Sequence, residues 1–366
     1  MSVDAARRLV DELDRNIKED DVGNPYFADP LVLAFPLNRD GFRLIREVRT
    51  GRKLGFVDGG NQEILGAPDF SVQLNRIYAS VWSDNQRVTI PLPRVEFFSA
   101  TYSTFKNDDI HYETVIVPGS PEFEKYLPAA KDLSFDSMDR SIMNGNQRAD
   151  VGRVASIARR FAEWKFANFV AEALEPRDVL LMDGTLQTTF TGEGHYLKEL
   201  SATTKTRGVI LSGMSKTSAL FTTTGLSLLS AVNKLADESN VEMEWYYPVA
   251  ESTNQDHNVM ILALKLKLIS ERIFRYEIDR DQFKGLTELQ INAFLAELVK
   301  NASDPTFPGY PYGMIDADRF ARVSYDELEY YRALLLSQIS GLGKQRKFAR
   351  HIHAADAHSI LNVLIG

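Results

Sequence analysis

Asp178-Val179-Leu180-Leu181-Met182-Asp183-Gly184-Thr185 is a continuous apolar run closed by Asp-Gly. Four apolar residues with no alternation have no face for water, so the run predicts a buried, central strand. Just upstream, residues 151–174 read as a helix apolar around much of its circumference, which marks deep packing, and Pro176 follows its end. Downstream come a helix near 193–204, a strand at 208–212, a helix around 216–238, strands near 242–249 and 259–268, and helices near 286–300 and 316–339. Upstream, the β-branched and aromatic stretches 54–58, 77–82, 95–102 and 111–117 read as strands, separated by breakers such as Asp58-Gly59-Gly60 and Ser83-Asp84-Asn85. Residues 20–40 read as loop and 119–150 as a mixture of helix and loop. An early run of antiparallel strands followed by strands alternating with helices predicts an α/β fold, a mixed sheet covered by helices.

The N-terminus predicts one more helix. Ser2 can cap it, Asp4 suits the positive end of its dipole, and Val3, Ala6, Val10, Leu13 and Ile17 form a narrow apolar stripe. That stripe fits either a helix packed on its own domain or an arm packed on a partner subunit.

Composition narrows the function. The 366 residues are 44% hydrophobic and 25% charged, which is ordinary for a globular protein and excludes disordered and collagen-like chains. Cysteine is absent, which removes disulfides, iron–sulfur clusters, thiolate zinc sites and a thiol nucleophile together. No run reaches the roughly 18 apolar residues of a membrane span, and Met1-Ser2-Val3-Asp4 does not open a signal peptide, so a cytoplasmic protein is expected. The formal charge of −8 argues against a protein that coats nucleic acid through a broad basic surface. It is compatible with carboxylates that hold metal ions.

Two strands share one local design, since 54–58 and 179–183 are both apolar and both run into Asp followed by Gly. An Asp at the carboxyl end of a strand lies at the sheet rim, where α/β folds bind ligands, although Asp-Gly is also an ordinary turn. Glu163 is the third carboxylate. Phe166, Ala167, Val170 and Leu174 fall within about 60° of it on a helical wheel, so it points with the apolar stripe towards the sheet. A charge placed there needs a partner, either Arg159 one turn back or a metal ion shared with Asp58 and Asp183. The fourth lies beyond the loop Phe307-Pro308-Gly309-Tyr310-Pro311-Tyr312, where Asp316 reads as a helix N-cap and Asp318 projects further round.

Val57-Asp58-Gly59-Gly60, Arg160-x-x-Glu163, Met182-Asp183-Gly184-Thr185-Leu186, Ser215-Lys216-Thr217-Ser218 and Gly309-Tyr310-Pro311-Tyr312 leading to Ala317-Asp318 occur in this order. In this the chain resembles the NurA nucleases, from about residue 50 to 325. The resemblance implies an RNase H-like mixed sheet flanked by helices, with additional N- and C-terminal helices. Its divisions would be a helical arm and loop over 1–40, a nuclease domain over 41–340, and an extension over 341–366 packed on that domain. It implies a Mn²⁺-dependent DNA nuclease, with Mg²⁺ as the alternative ion, acting as a 5′–3′ exonuclease and single-strand endonuclease. It further implies a homodimer working with the hexameric HerA translocase in end resection, double-strand break repair and homologous recombination. Many members have His where this chain has Asp318.

Phosphodiester hydrolysis gains from two divalent ions, one activating water and the other neutralising the leaving oxyanion, and hard carboxylate oxygens suit Mn²⁺ or Mg²⁺. Asp58, Glu163, Asp183 and Asp318 are therefore the expected metal ligands and catalytic residues, with Asp58 bridging and Asp318 an outer ligand or acid/base group. Tyr310 is the fifth catalytic candidate, by hydrogen bonding to phosphate or stacking on a base. Lys216, Arg160 and Tyr312 are candidates for DNA contact, as are the clusters Arg43, Arg46, Arg49, Arg52, Lys53 and Lys344, Arg346, Lys347, Arg350, which otherwise read as solvated faces. His351, His353 and His358 form no closed zinc pattern, and no P-loop is present, so any translocation must come from a partner. The competing expectations are a non-catalytic RNase H-like scaffold and another RNase H-like enzyme of transposase or Argonaute type.

Overall fold

The structure is a computed structural model that describes residues 2–17 and 21–355, the last four of these by backbone alone. His358 and the end of the expected C-terminal extension lie outside the described residues. The chain divides into two compact units interleaved along the sequence, one from residues 53–182, 188–209 and 313 onward, the other from residues up to 52, 183–187 and 210–312.

The first of these is built on strands β1 (Leu54–Ala67), β2 (Phe70–Ser83), β3 (Arg94–Lys106), β4 (Asp109–Pro118) and β5 (Val179–Asp183), in the order β5-β1-β2-β3-β4. β5 runs parallel to β1 and the others are antiparallel, so the sheet is mixed as expected. Two-residue loops make its hairpins. Asp84 and Asn85, between β2 and the short strand Gln86–Val88 that pairs with it, and Asn107 and Asp108, between β3 and β4, all have positive φ, the left-handed geometry that matches the twist of paired strands. The strands are much longer than the sequence predicts, and one reason corrects the reading of Asp58. β1 runs through Asp58-Gly59-Gly60 without a break, pairing these residues with Tyr78, Ile77 and Arg76 of β2. Asp58 is a mid-strand residue, not a strand end.

Helix α1 (Ile157–Ala173) crosses this sheet and packs on β1, β2 and helix α2 (Gly194–Arg207). Ser156 separates it from the short helix Val151–Ala155. Phe161, Trp164 and Phe166 are fully buried around its circumference, each contributing about 2–3 kcal/mol of transfer free energy. The region read as one helix over 316–339 is two, α3 (Tyr312–Ala321) and α4 (Tyr325–Gly341), because Ser324 begins a new capping box with Glu327. Along α4, Leu328, Tyr331, Leu335 and Ile339 recur at helical spacing and pack on Ile64, Leu65, Leu74 and Val323. Asp316 is consequently buried inside α3 and paired with Arg87, which overturns its reading as an N-cap.

Arg76 ties α4 to the sheet. Buried on β2, it pairs with Glu96 and donates to Glu327 at 2.7 Å and to the Arg322 carbonyl at 2.8 Å. Arg76→Met is expected to cost about 3 kcal/mol, since three groups lose their donor, though the two carboxylates are partly exposed and can rehydrate. The Arg76 hydrogen bond holds the Glu327 carboxyl down at about 2 against an ordinary 4.5. A depressed carboxylate contributes stability that is present above 4.5 and lost as pH falls towards 2. Thermal melts of the variant should therefore show a flatter loss of stability in that acid window than the wild type.

The other unit holds β6 (Ile210–Ser215), β7 (Trp245–Ser252), β8 (Val259–Lys265) and β9 (Phe274–Asp279), antiparallel in the order β7-β8-β9-β6. The sequence reading does not include β9, and the helix predicted over 216–238 spans only Leu228–Glu238, the preceding residues forming a loop that contains the short strand Phe221–Thr222, paired with Pro25–Tyr26. The helix Glu288–Asn301 follows with a Thr287–Gln290 capping box. The N-terminal helix Val3–Asn16 forms with Ser2 accepting from the Ala5 amide, but Val3, Val10, Leu13 and Ile17 are all exposed. The expectation that this stripe packs on its own domain is not met. Among the described residues, no helix is long and apolar enough to cross a membrane.

Candidate metal centre

The centre is set by strand register. Met182 of β5 pairs in parallel with Val57 of β1, so the next residue of each strand, Asp183 and Asp58, stands beside the other and faces the same side. Asp183 is the last residue of its strand, and Gly184 turns the chain away at φ +93°. Asp58 is buried, and one of its oxygens accepts from the Gly59 amide at 2.7 Å.

The two glycines after Asp58 explain what packs there. A Cβ at Gly60, on the same side of β1 as Asp58, would lie 2.3 Å from the Ala321 carbonyl oxygen at the end of α3. Glycine lets that helix end touch the strand, and its preceding turn carries Asp318 over Asp58. One oxygen from each of Asp58, Asp183 and Asp318 lies within 4.8 Å of the others. Asp58 is buried, Asp183 half-buried and Asp318 exposed, so the group opens to water on one side.

Gly59 points to the opposite side, where a Cβ would lie 2.3 Å from a Glu163 carboxylate oxygen. Glu163 is buried, as the wheel predicts, but it stands on the α1 side of β1 and is not one of the three grouped carboxylates. Arg159 pairs with it and also donates to the Gly59 carbonyl at 3.0 Å. Arg160 approaches its other oxygen at 3.6 Å. The arginine partner considered from the sequence is thus present, and doubled.

Asp183 has two donors within its own unit. Lys216 Nζ is 3.2 Å from one carboxylate oxygen and Tyr310 Oη donates to the other at 3.3 Å. Tyr310 is buried between Phe274 and Phe307, with Lys216 over its ring at 6.0 Å. Gly309 makes the turn before it at φ +87°. Tyr312 begins α3 and is half-buried. In the two basic clusters, Arg43, Arg46 and Arg49 are exposed while Lys53 pairs with Glu175, and Lys344, Arg346 and Lys347 are exposed.

Two fully buried carboxylates escaped the sequence reading. Glu193 accepts from Arg160 Nε at 2.9 Å, Trp164 Nε1 at 2.7 Å and the amides of Thr189 and Phe190. It thereby holds the Arg160 guanidinium against the Trp164 face, 4.3 Å from the ring centre, and beside Glu163. Glu277 on β9 is also fully buried and accepts from the Leu186 amide at 2.8 Å. Glu193 sits in locally polar sequence and Glu277 in a strictly alternating one, and their partners distant in sequence, Arg160 and Leu186, reveal them.

The family model of the NurA domain matches residues 52–323. The fold is similar to that of the NurA nuclease from Sulfolobus solfataricus, at 11% identity over 93% of this chain and 95% of that one, with a TM-score of 0.51. Weaker likenesses are to Ciona intestinalis endonuclease V in complex with a 24mer DNA, at 14% identity over 77% and 91% of the two chains with a TM-score of 0.35, and to Aquifex aeolicus Argonaute, at 8% identity over 74% and 28% with a TM-score of 0.26. Scores that low fall short of a shared fold. No curated protein matches the sequence.

Proposed function

Because the chain belongs to the NurA family, we propose that it is a metal-dependent nuclease that hydrolyses DNA phosphodiester bonds. The observation that carries this reading is the grouping of Asp58, Asp183 and Asp318, three hard carboxylates on two parallel strands and a helix end. Their converging negative charge fits a divalent cation, and the all-oxygen donor set suits Mn²⁺ or Mg²⁺, two ions per site being the proposed complement. When bound, such ions supply Lewis acidity at the phosphate and lower the pKa of water. Asp58, Asp183 and Asp318 would hold them, and Glu163, across β1 and paired with Arg159 and Arg160, would act on the centre only through the strand between.

The remaining side chains orient and neutralise. Tyr310 Oη fixes one oxygen of Asp183 and leaves the other towards Lys216. Lys216 is mounted to exchange Asp183 for a substrate phosphate as a point charge. Water adds to phosphorus and the P–O bond to the sugar breaks, so the leaving oxygen must gain a proton. Asp318, as the exposed member, has the solvent access a proton carrier needs. For the whole protein we propose a cytoplasmic homodimer that receives DNA from a HerA-type hexameric ATPase during end resection and break repair. Lys216, Arg160 and Tyr312 remain its proposed DNA contacts, with Arg160 the most constrained by its Glu193 partner.

The test is incubation of 5′- and 3′-labelled single- and double-stranded DNA with Mn²⁺, Mg²⁺ or EDTA, beside Asp183→Ala. Degradation is expected with Mn²⁺ only in the wild type. Intact DNA in every lane would leave the scaffold reading in its place.

A further inference from the structure

Buried charge outside the metal centre concentrates at Glu277, a glutamate with no exposed surface in the middle of β9. A lone carboxylate there would be costly, and this one is surrounded. His257 Nε2 lies 3.0 Å from one oxygen and Arg275 Nη2 lies 2.5 Å from the other. His257 is itself buried, at the close of the turn bridging Asn254 and His257. The oxygen facing His257 also accepts the Leu186 amide at 2.8 Å.

Leu186 closes the turn that starts at Asp183. The same turn is tied down by the Gly184 amide, which donates to the Met214 carbonyl at 2.8 Å. It lies across β6 at Gly213, where a Cβ would meet the Gly184 carbonyl oxygen at 2.6 Å and Leu186 Cγ at 3.3 Å. Gly213 is the register partner of Glu277 on β9. A missing side chain on one strand thus makes room for the turn, and the carboxylate beside it on the next strand catches the turn's end.

We propose that Glu277 is a positioning residue for the metal centre, anchoring the Asp183–Leu186 turn through the Leu186 amide so that the Asp183 carboxylate is held for a divalent ion. His257 and Arg275 hold Glu277 in turn. This rests on the metal-dependent reading above, and the test separates the two.

Two substitutions divide the roles of Glu277. Glu277→Gln keeps an acceptor at the right reach for the Leu186 amide and discards the charge. Glu277→Asp keeps the charge for Arg275 and His257 but is one methylene too short for Leu186. Hydrogen exchange at residues 183–187 is measured in metal-free protein, and Mn²⁺ affinity by electron paramagnetic resonance of the free ion. Glu277→Asp should raise exchange in the turn and weaken Mn²⁺ binding by roughly tenfold to a hundredfold, the range seen when outer partners of metal ligands are removed. Glu277→Gln should stay within about threefold of wild type in both. A purely structural role for the buried charge gives the reverse order, and that order would overturn the proposal, as would a loosened turn with unchanged Mn²⁺ affinity.

Should both variants fail to fold, Gly213→Ala pushes the same turn from below. Wild-type Mn²⁺ affinity in folded Gly213→Ala then overturns the proposal, and a tenfold loss supports it. Wild-type protein that binds no Mn²⁺ removes the metal reading itself and the positioning role with it, a result distinct from any difference among variants.

Discussion

Asp58→Asn is expected to reduce Mn²⁺-dependent cleavage at least a thousandfold, equivalent to about 4 kcal/mol of transition-state stabilisation. Asp58 is the buried member of the three grouped carboxylates, so its charge is the least screened by water and the most dependent on a cation. A ligand present at a hundred times its dissociation constant stabilises the folded state by about 2.7 kcal/mol, a shift of a few degrees for a chain of this size. Wild-type protein should show that shift on adding Mn²⁺, and the variant should not. The sign reverses without metal. Removing one of three neighbouring negative charges relieves repulsion, so in EDTA the variant should melt no lower than the wild type. Differential scanning fluorimetry with and without Mn²⁺, beside the cleavage assay, reads both effects, and full cleavage by Asp58→Asn would exclude Asp58 from the chemistry.

Gly60→Ala is expected to destabilise the fold by about 3 kcal/mol or more, near the upper end for overpacking. The obstacle is main chain. The new methyl would sit 2.3 Å from the Ala321 carbonyl oxygen, 3.0 Å from its carbon and 3.3 Å from Arg322 Cα, none of which can rotate away. Relief requires moving the end of α3 off β1, which also carries Asp318 away from Asp58. Gly59→Ala is the control. Its methyl meets the Glu163 side chain, whose oxygen and Cγ lie 2.3 and 2.9 Å away and can swing. It should cost less stability while disturbing the Glu163–Arg159 pair. Urea unfolding of both variants, with Mn²⁺ affinity measured alongside, gives the order; a milder Gly60→Ala than Gly59→Ala would contradict the account.

These glycines also mark how far local sequence reaches. Asp183-Gly184 and Asp58-Gly59-Gly60 look alike in sequence, and only the first ends its strand. At 184 the glycine turns the chain, with positive φ at the end of β5. At 59 and 60 the glycines are in a continuous strand and serve contact with Glu163 on one side and Ala321 on the other. Those partners lie 104 and 261 residues away in sequence, where no window can see them. The burial of Glu163 was legible because a helical wheel is local, and its two arginine partners fall within one turn of it. The side of β1 on which it stands was not, because that depends on strand alternation measured from a break that does not exist. β9 is a different kind of miss. Phe274-Arg275-Tyr276-Glu277-Ile278-Asp279 alternates apolar and charged residues strictly, a strand signal that was present. The stretch before the helix Leu228–Glu238 is not helical, because Gly225 turns the chain at φ +84° and Phe221–Thr222 pairs with Pro25–Tyr26, a partner far off in sequence.

The mid-strand position of Asp58 gives the three carboxylates unequal mechanical standing. Its backbone is paired on both edges, to β5 through Val57 and to β2 through Tyr78, within a strand of fourteen residues. Segments of that kind open only when most of the unit opens. Asp183 ends its strand beside a glycine, and Asp318 stands in the last turn of α3 as the exposed member of the three. Asp58 is therefore the anchor point of the coordinate frame, and the other two are the members able to follow an ion that changes radius or a phosphate that changes shape along the reaction. Selectivity between ions of different size should accordingly be tuned by substitutions in the turn after Asp183 and at the end of α3, and very little by changes along β1.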